Sequence, residues 1–163
     1  MAGFCVEFVL AACMAAAAQE AAPPQDGADA LQAAQDAIAA GDWNAALNRL
    51  DEARAVHAGE ASFWLLYGDT TLKFLEQRLA QGERDAGLVD GLYGDAESAF
   101  QRAGELAPDA AAPWLGLART RRARGDAAGA WEAAAAADAR SGGSASPELL
   151  MELGHSGLAA TIA

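Results

Sequence analysis

The chain has 163 residues, of which 53% are hydrophobic and 21% are charged, and its formal net charge at pH 7 is −12. This length fits one domain, and the patterned apolar residues suffice for a core. The acidity argues against nucleic acid as a partner, because phosphates require a basic surface. The excess of Ala, Gly and Arg indicates GC-rich codons and hence a bacterial source.

Residues 1–18 contain an apolar run that predicts a signal or lipoprotein leader. The run is too short to span a bilayer and ends in the small residues Ala16, Ala17 and Ala18, which suit a peptidase. Within it, Leu10-Ala11-Ala12-Cys13 resembles a bacterial lipobox, which implies lipidation and membrane attachment at Cys13. We therefore expect an exported protein of the periplasm or outer membrane. The alternative is a cytoplasmic protein with an apolar tail.

Residues 19–28 have the composition of a polar linker that contains Pro23 and Pro24, and helical patterning follows over 29–140. Two Gly-Asp pairs, Gly41-Asp42 and Gly125-Asp126, each predict the end of one helix and the cap of the next. A glycine-containing stretch at 82–94 predicts a connection, and Pro108 a stop. In chain order the predicted helices are 29–40, 43–57, one from Ser62 to near Gly82, one ending near Leu106, 112–124, 127–140 and 147–163.

An internal repeat organises these helices. The set Trp64, Tyr67, Gly68 and Thr71 returns as Trp114, Leu117, Ala118 and Arg121, and each set precedes a small-large-small helix: Ala96, Phe100, Ala103, then Ala130, Ala134, Ala137. A single helix pair cannot bury its own apolar face and must stack on neighbouring pairs. The repeat therefore predicts an elongated array whose function lies in its surface.

These residues resemble the tetratricopeptide repeat (TPR) family, whose unit is two helices in 34 residues. The resemblance covers about residues 27–140, and the predicted repeat domain at 29–140 has units at about 27–60, 61–110 and 111–144. It implies an all-α, right-handed superhelical stack of antiparallel helix pairs, an α-solenoid of about three pairs plus a C-terminal helix. That last helix, 147–163, is a cap or the opening of a truncated fourth unit.

The second unit carries the best match to the family and is expected to be the centre of stability. Its small residues Gly68 and Ala96 allow close backbone approach, and Trp64 and Phe100 are expected to meet across the helix pair. The interval from Trp64 to Trp114 is 50 residues, which places an insertion at 73–92. Because this insertion is apolar, we expect both helices to extend beyond the stack and pack together.

The resemblance also implies a groove, because the first helix of each pair lines the concave side of such a stack. Arg119 and Arg122 lie three residues apart on one helix side, so an acidic segment could engage both, whereas Arg121 and Arg124 point elsewhere and serve as reference positions. The carboxylate clamp known in the family is not expected, since Leu65 and Asp69 occupy two of its positions. The groove positions carried over are Leu65, Asp69, Leu72, Lys73, Leu115, Arg119 and Arg122.

No catalytic motif, cofactor site or metal site is predicted, and His57 and His155 have no partners at ligand spacing. The leading interpretation is a non-enzymatic scaffold of the bacterial cell envelope that binds a partner protein or peptide in its groove. One alternative is the accessory TPR region of a longer, truncated enzyme or secretion component. Another is a cytoplasmic structural subunit that self-associates.

If the leader is removed on export, the mature chain begins at a lipidated Cys13 or near Gln19. Intact-mass spectrometry of the protein from its native host measures this directly. Recovery of an unprocessed chain, starting at Met1, from the cytosol would contradict export.

Overall fold

The computed structural model describes residues 27–142, which form six helices and no strand. Each helix packs against the next one along the chain, and α3 also contacts α5, as expected for stacked pairs. None of the six is both long and apolar enough to cross a membrane. The leader with Cys13 and the predicted helix 147–163 lie outside the described residues. The helices are α1 (Gly27–Ala39), α2 (Trp43–His57), α3 (Ala61–Ala80), α4 (Ala86–Leu106), α5 (Ala112–Arg124) and α6 (Ala127–Arg140).

The two Gly-Asp turns form as predicted. Gly41 and Gly125 adopt left-handed backbone angles, with φ of 74° and 91°, which residues with a side chain rarely tolerate. Asp42 accepts a hydrogen bond from the Ala45 amide at 3.0 Å, and Asp126 accepts one from the Gly129 amide at 2.9 Å. Each aspartate satisfies an amide that would otherwise lack a partner at a helix start.

The inserted segment lengthens both helices of the second pair, so the expectation of an extended hairpin is confirmed. The predicted connection at 82–94 is wrong, because α4 already begins at Ala86. Asp85 explains this early start, since its carboxylate accepts hydrogen bonds from the Gly87 and Leu88 amides at 2.9 and 3.2 Å. Within the hairpin, Leu75 is almost fully buried.

The apolar core is divided into two clusters. The first-junction cluster joins the first two pairs, and Trp64 packs against it, with its ring 5.4 Å from that of Phe63. The Trp64 indole N–H also donates to the Ala58 carbonyl at 2.9 Å. Contrary to expectation, Trp64 and Phe100 therefore belong to separate clusters. The first-junction cluster comprises Ala30, Ala34, Leu50, Ala53 and Phe63, and the second-junction cluster comprises Ala96, Phe100, Leu117, Ala118, Ala133, Ala134 and Ala137.

Phe100 lies between two glycines on different helices. A methyl group added at Gly68 of α3 would come within 2.8 Å of its ring, and one at Gly116 of α5 within 2.4 Å. Both distances are below van der Waals contact, so only glycine leaves room for the ring at these two positions. One side chain from α4 thereby sets the spacing between α3 and α5.

Replacing Phe100 with alanine is expected to lower the free energy of unfolding by about 3–5 kcal/mol, because it opens a cavity between three helices. Chemical denaturation measures the change. Leu88→Ala on the same helix is the control, since Leu88 is 38% exposed and its truncation should cost less than about 1 kcal/mol. Equal losses in the two variants would show that the Phe100 contact is not special.

Candidate binding groove

The first helices of the three pairs carry matching residues at fixed intervals. Ala34, Gly68 and Ala118 lie 34 and then 50 residues apart, and all three are buried small residues that permit close helix contact. The same intervals relate two further sets of positions on these helices. We call them the apolar column, Leu31, Leu65 and Leu115, and the polar column, Gln35, Asp69 and Arg119.

The polar column contains an ion pair between two repeat units. The Arg119 Nη2 atom lies 2.7 Å from the Asp69 Oδ1 atom, with the side chains 42% and 51% exposed, respectively. Exposed pairs of this kind contribute only about 0–1 kcal/mol to stability. Their larger effect here is on the electrostatics of the surface, because the Arg119 charge is already compensated by a carboxylate of the same chain.

Leucines border this ion pair on the same helices. Leu65, Leu72 and Leu115 are partly buried and pack against the second-junction cluster, while Leu31 packs against the first-junction cluster. Each leucine is thus held by the core and keeps part of its side chain accessible. The surface combines anchored apolar groups with a compensated pair of charges.

The remaining predicted groove residues, Lys73 and Arg122, are both exposed. Lys73 is exposed and pairs with Glu76 of its own helix at 2.8 Å. Arg122 is exposed near the end of α5, one turn beyond Arg119. The predicted positions are therefore all on α3 and α5, and a direct contact joins two of them, Asp69 and Arg119.

The repeat intervals also assign residues of α1 to both columns, which sequence reasoning missed. Leu31 and Gln35 fall in the two columns, and Ile38 corresponds to Leu72, but α1 has alanine at the positions where the repeat usually carries large residues. The groove positions had consequently been carried over only to the second and third units. The 34-residue interval between Leu31 and Leu65 is the signal that could have identified them.

Arg121 and Arg124 of α5 both pair with acidic residues of α4, so they are not neutral reference positions. Arg121 Nε lies 2.7 Å from Glu97 Oε1, and its side chain also donates to the Gly129 carbonyl at 3.3 Å. Arg124 pairs with Asp90 at 2.6 Å and approaches Glu97 at 3.7 Å. Both side chains therefore tie α5 to α4, and charge reversal at either one would disturb the fold.

On α2, α3 and α4, a separate open cleft of about 350 Å³ is lined by residues that include Arg54, Trp64 and Tyr67. Arg54 lies 5.0 Å from the centre of the Tyr67 ring, and the Tyr67 hydroxyl donates to Asp51 at 3.0 Å. Burial raises the pKa of Tyr67, and the Asp51 carboxylate raises it further, so the phenol stays a protonated donor. These groups satisfy one another, which is the behaviour of a packing contact.

Comparisons with known proteins identify the fold. No family model matches the sequence, and no curated protein matches it either. Thirty-two chains of solved structures do match, among them three TPR structures. The TPR domain of OM64 from Arabidopsis has a TM-score of 0.64 and 12% identity, covering 80% of this chain and 93% of that one.

Two further matches are of the same kind. The Sgt2 TPR domain from Aspergillus fumigatus has a TM-score of 0.64 and 16% identity, over 83% of this chain and 79% of that one. A thermophilic TPR protein of Thermus thermophilus has a TM-score of 0.66 and 19% identity, over 83% of this chain and 66% of that one. The protein is therefore a helical repeat protein, and its fold is the TPR solenoid predicted from the sequence.

Replacing Arg121 with alanine is expected to lower stability by about 1–3 kcal/mol, because it leaves the half-buried Glu97 without its closest charged partner. Arg119→Ala should cost only about 0–1 kcal/mol, since both members of its pair are exposed. Thermal or chemical unfolding of the two variants side by side gives the comparison. A larger loss for Arg119→Ala would mean that the groove pair, not the α4–α5 pair, holds the units together.

Proposed function

We propose that this protein is a non-enzymatic scaffold of the bacterial cell envelope, which binds a partner protein or peptide along the groove formed by α1, α3 and α5. TPR domains generally bind protein or peptide partners, and helical solenoids use their concave side for this purpose. The observation that carries the proposal is the pairing of the apolar column with the Asp69–Arg119 ion pair. The proposed contact residues are Leu31, Gln35, Leu65, Asp69, Leu72, Lys73, Leu115, Arg119 and Arg122.

The composition of the groove defines what the partner must offer. The apolar column requires apolar side chains on the partner, because burying apolar surface is favourable by roughly 25 cal/mol per Å². The polar column requires a partner segment that hydrogen-bonds to Asp69 and Arg119, or one whose charged group replaces either residue in the ion pair. A single acidic group gains little there, because it competes with a carboxylate already 2.7 Å from the Arg119 guanidinium. A segment with apolar residues beside mixed charges fits best.

The envelope location rests on residues 1–18 and on the lipobox-like Cys13. A lipid at Cys13 would tether the array to a membrane surface and leave the linker at 19–28 as a spacer. The net charge of −12 adds long-range repulsion from acidic surfaces and favours contact through defined patches.

The groove assignment can be tested by exchanging the two charges of the ion pair. Asp69→Arg/Arg119→Asp keeps the net charge and the pair but reverses its direction across α3 and α5. Capture of envelope proteins, quantified by mass spectrometry, is expected to fall about tenfold for specific partners. Contacts that become like-charged cost on the order of 1 kcal/mol or more.

A matched control exists on a second helix. Arg49 and Glu52 of α2 form a pair at 2.9 Å with side chains 42% and 48% exposed, close to the values for Arg119 and Asp69. Arg49→Glu/Glu52→Arg should retain the captured partners. If the two exchanges leave capture unchanged, or reduce it equally, the groove formed by α1, α3 and α5 is not the binding surface.

A further inference from the structure

The last described helix, α6, has buried residues at the same spacing as α4. At an interval of 34 residues, Ala96, Ala99, Phe100 and Ala103 correspond to Ala130, Ala133, Ala134 and Ala137, and all eight are buried. This agreement aligns the two helices at an interval of 34 residues with no insertion or deletion. In that register, Trp131 occupies the position of Glu97.

The position of Glu97 is where α4 receives the first helix of the next unit. Its carboxylate lies 2.7 Å from Arg121 and 3.7 Å from Arg124, both on α5. Trp131 therefore lies on the side of α6 where a following helix would dock. It is 43% exposed, and it is the only tryptophan among the large exposed apolar side chains of the described residues.

The sequence after α6 repeats the residue pattern of such a first helix. At an interval of 36 residues, Leu150, Leu153 and Gly154 correspond to Trp114, Leu117 and Ala118. Ser156 corresponds to Thr120 and Thr70, two buried threonines whose hydroxyls each donate to the carbonyl four residues earlier. In this register Gly157 corresponds to Arg121.

We propose that residues 147–163 dock on α6 as the first helix of a fourth unit, with the Trp131 indole covering Gly157. The paired positions are complementary in two different ways: Glu97 meets Arg121 by charge, and Trp131 meets Gly157 by size. The nine residues between Arg140 and Leu150 are enough for the return, since seven separate Leu106 from Trp114 at the preceding junction.

This docking extends the groove by one unit. Met151 corresponds to Leu115 of the apolar column, and His155 corresponds to Arg119 of the polar column. The proposal depends on the repeat register and not on the identity of any partner. It can therefore fail while the proposed function stands, and the reverse also holds.

Hydrogen–deuterium exchange of the full-length protein tests the docked helix, read on the peptide that follows Arg140. Backbone amides of 150–163 should exchange at least about tenfold more slowly than in an unstructured chain. Gly157→Leu should remove most of this protection, although leucine is the better helix former. The size exchange Trp131→Ala/Gly157→Leu should restore it, because the smaller residue at 131 makes room for the larger one at 157.

Ala159→Leu is the matched control, since the corresponding residues Lys73 and Ala123 are exposed; it should leave the protection intact. Unprotected amides in the wild-type chain would overturn the proposal. Failure of the size exchange to restore protection would overturn the Trp131–Gly157 contact. Protection that grows with protein concentration would mean that a second copy, and not the chain's own segment, covers α6.

Discussion

The ring of Phe100 lies between Gly68 and Gly116, and the geometry of the groove depends on this contact. The ring comes from α4, whereas the glycines belong to α3 and α5, the helices that carry the groove residues. Asp69 and Leu115 are the immediate chain neighbours of the two glycines. The buried contact of Phe100 on α4 with these glycines therefore sets the spacing of the groove ion pair.

Interfaces built largely from alanine need such a contact. Alanine favours helix formation but buries little area, so each helix pair gains only a thin apolar interface from its Ala-rich faces. Phe63 serves the first junction and Phe100 the second, and both are almost completely buried. Charged residues supplement the second junction, where Arg121 and Arg124 of α5 hold Glu97 and Asp90 of α4. That arrangement explains why an arginine stands at 121, where the repeat usually has an aromatic side chain.

The two tryptophans of the signature show how equivalent positions acquire different contacts. Trp64 donates its indole N–H to the Ala58 carbonyl, six residues earlier. At the corresponding place in the third unit, the Pro108 carbonyl instead accepts from Arg140 Nε at 2.6 Å, and the Arg140 guanidinium lies 4.3 Å from the centre of the Trp114 ring. The Trp114 indole N–H consequently has no acceptor among the described residues. The Arg140 guanidinium thus covers the Trp114 ring, and Trp114 lacks the indole hydrogen bond that Trp64 makes.

The sequence by itself determined the helical class, the stacking of pairs and the Gly-Asp turns. These features depend on local spacing, on the left-handed backbone that glycine permits and on aspartate capping, all readable within a few residues. It also predicted a groove on α3 and α5 from the repeat register, and two of its predicted residues, Asp69 and Arg119, are in contact. The early start of α4 was missed, since three glycines between 87 and 94 outweighed the Asp85 cap in a reading based on propensity.

Only the tertiary structure decided the partners of the charges and rings. Asp69 and Arg119 are 50 residues apart, and nothing in their spacing distinguishes this pair from the other combinations of 11 basic and 23 acidic residues. The sequence predicted that Phe100 meets Trp64, whereas the packing of three helices places its ring against Gly68 and Gly116. Such contacts depend on how helices from different units approach each other, which local propensity and capping do not specify.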